Sequence, residues 1–156
     1  MKKFQKPLFY LLFISLLLSL TACQAPKEKL PTWSSDKGEV RPGPSTGKAV
    51  LALLKKARNA SKNGDLNMAE SFLERALRIE PRNPTLWLYM AKLRLFADKA
   101  KEAINLAKKA LALSSSIQKD RDSLQGDCWQ VIAHAHQKLG NYNEAQKAQN
   151  KAKSLI

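Results

Sequence analysis

Four positions recur three times along the chain, and this limits the fold more than any other feature. Leu53, Gly64, Ala69 and Ala76 are followed 34 residues later by Trp87, Asp98, Ala103 and Ala110, and after 42 more by Trp129, Gly140, Ala145 and Ala152. A unit of that length suits a pair of helices joined by a turn, too small to enclose a core of its own. Each pair carries an apolar face that only a neighbouring pair can cover, so the three copies must stack.

The recurring residue types have local reasons. A large apolar residue early in the first helix anchors the hairpin, and alanines in the second let helix axes approach to about 8–10 Å. Gly64 and Gly140 suit the left-handed conformation that ends a helix. Asp65 or Asn67, and Asn141 or Asn143, can cap the helix that follows. Asn83-Pro84 supplies a cap followed by a residue whose φ is already helical. Asp98 stands where the middle turn calls for glycine, which Asp tolerates at modest cost. The eight additional residues before the third copy, around Ser114 to Gly126, are expected to extend its first helix backward by about two turns. The final helix, with Ala145, Ala148 and Ala152 in one narrow stripe, is expected to cap the array.

The segment resembles the tetratricopeptide repeat. The residues that carry the resemblance run from Ala76 to Pro84 (Ala-Leu-Arg-Ile-Glu-Pro-Arg-Asn-Pro), with Leu86-Trp87, Glu102-Ala103-Ile104, Lys109-Ala110-Leu111 and Gly140-Asn-Tyr-Asn-Glu-Ala145. The fold this implies is all-α, a right-handed superhelix (α-solenoid) of three antiparallel helix pairs over residues 48–156, with repeats at about 50–83, 84–117 and 126–156.

The beginning of the chain points to export. Lys2, Lys3 and Lys6 precede an apolar run from Leu8 to Leu20, and small residues then lead to Cys23, the order of a secretory signal. The run is shorter than the roughly 20 residues a membrane-spanning helix needs. Leu20-Thr-Ala-Cys23 resembles the bacterial lipobox, which implies cleavage after residue 22 and lipidation of Cys23, including a palmitate-type acyl chain. Gln24 rather than Asp after the cysteine implies the outer membrane. Residues 23–47, with Pro26, Pro31, Pro42 and Pro44 among glycines, form an expected disordered tether. As a coil it would span about 27 Å.

Loss of the signal leaves 24 basic against 13 acidic residues, a net charge of +11. Such a balance often signals nucleic acid, but an exported protein does not meet it, and none is expected as a partner. Catalytic and cofactor signatures are missing. His134 and His136 lie about 200° apart around a helix and cannot share a metal; His136 takes a position where the resemblance implies a packing aromatic. Cys128 has no partner set for nucleophilic activation and reads as a small core side chain. The stretch Gly43-Pro-Ser-Thr-Gly47-Lys48 falls short of a phosphate-binding loop, with the wrong spacing and Ala49 where a hydroxyl belongs. No enzyme, cofactor or metal site is expected.

The resemblance instead implies a concave groove lined by the first helix of each pair. Matched positions are Leu54, Lys55, Arg58 and Lys62 in the first copy; Leu88, Tyr89, Lys92, Leu95 and Phe96 in the second; and Gln130, His134, Gln137 and Lys138 in the third. The expectation is an exposed apolar floor of Tyr89, Leu95 and Phe96 inside a basic rim. A small lipobox protein of this kind also resembles the tetratricopeptide lipoproteins that activate bifunctional penicillin-binding proteins. That implies a periplasm-facing, lipid-anchored protein-binding role in cell-wall biogenesis. Two alternatives stay open: a scaffold for a pilus secretin or another envelope complex, and a direct binder of peptidoglycan or anionic lipid.

Overall fold

The computed structural model describes residues 47–115 and 120–155. The expected signal, Cys23 and the expected tether up to residue 46, with its one tryptophan, Trp33, lie outside them. The described residues form six helices: α1 (Lys48–Lys62), α2 (Leu66–Ile79), α3 (Pro84–Phe96), α4 (Ala100–Ser114), α5 (Arg121–Lys138) and α6 (Tyr142–Lys153). They are an all-α array of three hairpins, and none of the described helices is long and apolar enough to cross a membrane.

The three hairpin turns are built alike. Gly64, Asp98 and Gly140 all have positive φ, at 82°, 60° and 74°. In each turn the next residue's N–H reaches back to a carbonyl in the last helical turn: Asp65 to Ala60 at 2.9 Å, Lys99 to Arg94 at 2.9 Å and Asn141 to His136 at 2.9 Å. This is the pattern in which one left-handed residue satisfies the open carbonyls of a helix end, and Asp98 performs the glycine's part. Asp65 caps α2 by accepting from the Met68 N–H at 2.9 Å, and Asn83 caps α3 through the Thr85 N–H at 3.0 Å. Asn141 occupies the cap position of α6 without a side-chain bond to the helix.

The opposite edge carries the connections between hairpins. The Glu80 carboxylate accepts from the Gly47 N–H at 2.8 Å and from Asn83 Nδ2 at 2.7 Å, tying the start of α1 to the cap of α3. The Trp87 indole N–H donates to the Pro81 carbonyl at 2.8 Å, and the Lys109 ammonium sits 3.5 Å from the centre of the Trp87 ring. Further along, Gln125 donates to the buried Ser114 hydroxyl at 2.9 Å, joining α5 to the end of α4. Helix α5 begins at Arg121 and is 18 residues long. Measured from Trp129, its backward extension is about one turn rather than the expected two.

Two apolar clusters meet on α3. The first gathers Val50, Leu53, Leu54, Leu73, Leu86, Tyr89, Met90 and Leu93 with alanines of α1 and α2. The second gathers Leu88, Leu95, Ile104, Cys128, Val131 and Ile132 with the alanines of α4 and α5 and Ala148 of α6. Leu106 of α4 packs against both. Helix α3 is consequently buried almost all round, from Pro84 to Leu95, which explains why its sequence shows little amphipathic contrast. Full burial of a leucine contributes about 1.5–3 kcal/mol, so the hairpins are held chiefly by stacking on α3. At the far end α6 buries only Ala145, Ala148 and Ala152, the narrow stripe its sequence carries.

Candidate functional site

Helices α1, α3 and α5 hold the residues matched to a partner groove, and the structure divides them into two groups. Lys55 and Lys62 are exposed on α1, Gln130 and His134 are half-buried on α5, and Phe96 is exposed at the end of α3. Leu88, Tyr89 and Leu95 are not exposed. Each is at most 4% accessible, Tyr89 in the first cluster and the two leucines in the second. The expected exposed floor is therefore corrected: α3 is wedged between neighbours on several sides, so residues free in an isolated hairpin become core in the stack. Leu54 and Arg58 are buried as well.

The basic rim is also partly committed. The Lys92 ammonium, on a side chain only 6% accessible, pairs with Asp127 of α5 at 3.3 Å and lies 5.8 Å from the Tyr89 ring centre. Lys138 pairs with Asp98 in the middle hairpin turn. A third network lies at the same end of the array. Arg94 makes a two-pronged pair with Glu70 of α2, one contact being 2.9 Å, and reaches Glu102 of α4 at 3.1 Å. Asp127 and Glu70 were missed from sequence because they lie in other repeats than their partners, and Glu102 because it lies on the other helix of Arg94's own hairpin. A usable signal was present: each acid sits on a helix packed beside the one that bears the cation.

Lys48, Lys55 and Lys62 recur every seven residues on α1, a helix with five basic residues and no acidic one. All three are exposed and have no ion pair among the described residues. His134 Nδ1 lies 3.2 Å from Gln137 Oε1, and His136 Nδ1 lies 3.4 Å from Asn141 Nδ2. Each imidazole thus serves a local contact. The described residues hold no cluster of three or more metal-ligating side chains. Burial in the second cluster, and next the neighbouring Asp127 carboxylate, push the Cys128 thiol up to about 12, against a smaller opposing effect of Lys92. A thiol so placed stays protonated and unreactive.

Comparison with known proteins agrees with this architecture. Sequence models of the tetratricopeptide repeat match residues 60–114 and residues 126–156. A solved structure, the globular C-terminal domain of LpoP from P. aeruginosa, aligns with 37% identity and a TM-score of 0.65. That alignment covers 70% of this chain and 99% of that one. The chain belongs to the tetratricopeptide-repeat family. Among curated proteins, none matches it significantly. Family membership and the six-helix array together describe a domain for binding protein.

Proposed function

We propose that this chain is a lipid-anchored protein of the outer membrane whose repeat domain binds a periplasmic domain of a bifunctional penicillin-binding protein and favours its active state. The observation that carries the reading is the likeness to the LpoP domain, 37% identical along 99% of that chain. It joins two features of the sequence: the lipobox-like ending at Cys23, and the resemblance to tetratricopeptide lipoproteins that activate such synthases. The uncompensated lysines of α1 suit this role, since a cationic helix speeds encounter with an acidic surface.

An activator of this kind acts only by preferring one conformation of its partner. A tenfold shift in that equilibrium requires about 1.4 kcal/mol of differential affinity. The test is glycan polymerisation by the purified cognate synthase, titrated with residues 47–156. Stimulation that rises several-fold and saturates supports the reading. No stimulation at saturating protein refutes it.

A further inference from the structure

Five large apolar side chains are exposed among the described residues, and four of them share one edge. Met68 (50% accessible), Phe96 (42%), Leu139 (37%) and Tyr142 (73%) flank the three turns at Gly64, Asp98 and Gly140; Ile79 alone lies at the other edge. Ion pairs bind the three turns together. Arg94 ties the end of α3 to Glu70, two residues from Met68, and to Glu102; Lys138 ties the end of α5 to Asp98. The four side chains thus lie along one edge braced by ion pairs.

The charges on this edge are unequal. Asp65 is engaged as the cap of α2, and Asp98, Glu70 and Glu102 are each held by a cation. Lys62, Lys99 and Lys101 are exposed and have no ion pair among the described residues. The first described residue, Gly47, lies at the opposite edge, where its N–H donates to Glu80. Helix α1, 15 residues long, sets the turn edge about 22 Å beyond that residue.

We infer that the turn edge, through Phe96 and Tyr142 with Met68 and Leu139 beside them, is a docking surface for an apolar protein patch bordered by carboxylates. This rests on the proposed function, in which that patch belongs to the synthase. Aromatic anchors near the centre of an interface carry much of its energy, so the two aromatics are the residues to remove.

The experiment measures affinity of the lipidated full-length chain for the purified synthase, comparing the unaltered protein with Phe96→Ser/Tyr142→Ser and with Lys55→Ser/Gln130→Ala. Helicity is checked by circular dichroism. A loss of tenfold or more in the edge variant supports the inference. Edge-variant affinity within twofold of the unaltered chain, with tenfold loss in Lys55→Ser/Gln130→Ala, overturns it while the proposed function stands. No binding by the unaltered chain overturns both. Retained synthase binding by the edge variant, with lost binding of its unlipidated Cys23→Ser form to phosphatidylglycerol vesicles, overturns it in favour of a lipid surface. A photo-cross-linker at position 96 or 142 guards against misfolding: adducts with the synthase there, and none from position 108 on the exposed side of α4, support the inference. Adducts from position 55 but not from 96 or 142 contradict it.

Discussion

The helix positions matched to a partner groove and the turn edge of this array treat the same residue types in opposite ways. At the matched positions of α3, Leu88, Tyr89 and Leu95 are buried and Lys92 is paired with Asp127. At the turn edge Phe96 and Tyr142 face solvent while the acids beside them are tied to cations or to a helix end. The difference shows that a matched family position is available for binding only if the neighbouring repeat leaves it uncovered. Here the stack uses much of the groove for its own cohesion, and the apolar residues left over gather where the hairpins turn.

The comparison breaks most visibly if the two aromatics of α3 are truncated in turn. Tyr89→Ala removes a ring from the first cluster and is expected to destabilise the domain by about 3–5 kcal/mol. Phe96→Ala is expected to cost under about 1 kcal/mol, as a surface substitution does. Urea unfolding followed by circular dichroism separates them, and equal losses would refute the distinction. Lys92→Ala comes next: it leaves Asp127 without its cation in a half-buried site, at a cost of about 1–3 kcal/mol. Lys55→Ala, on the exposed side of α1, should change unfolding by less than about 0.5 kcal/mol.

Smaller effects sharpen the account of the turns. Gly140 has φ of 74°, and a Cβ added there would meet nothing within 4 Å. Gly140→Ala is therefore expected to cost about 1–2 kcal/mol from backbone strain alone, visible in thermal unfolding. Asp98→Gly removes a left-handed non-glycine residue but also the partner of Lys138, so its net change should stay within about 1 kcal/mol of zero. The smallest expected effect is alkaline. The Cys128 thiol ionises at about 12 in the fold against a usual 9.0, so the unfolded chain loses its proton first. Its contribution to stability is intact below pH 9 and declines as pH rises toward 12. Cys128→Ala should flatten that part of the stability profile relative to the unaltered chain.

The hairpins were legible in sequence because their signals are local. Gly64, Asp98 and Gly140 announce turns within a few residues of themselves, and Asp65 and Asn83 announce caps. The alanines of the second helices mark close packing by their size. The state of the matched groove positions was less legible because it depends on partners far along the chain. Lys92 meets Asp127 35 residues away, and Lys138 meets Asp98 at a separation of 40. No helical period shows that Tyr89 is covered while Phe96, seven residues on, is open; the packing of α3 against its neighbours decides it. The length of α5 was overestimated for a similar reason, since the insertion before Trp129 adds about one helical turn and its residues 116–119 lie outside the described structure.

Amide hydrogen exchange of the lipidated chain, alone and with saturating cognate synthase, tests most directly where this protein engages a partner. The account predicts slowed exchange at the three turns, around residues 62–68, 96–101 and 138–143, with the opposite edge around residues 79–84 unchanged. Slowing confined to the middle of α1 and α5, or to the opposite edge, with the turns unaffected, would contradict it.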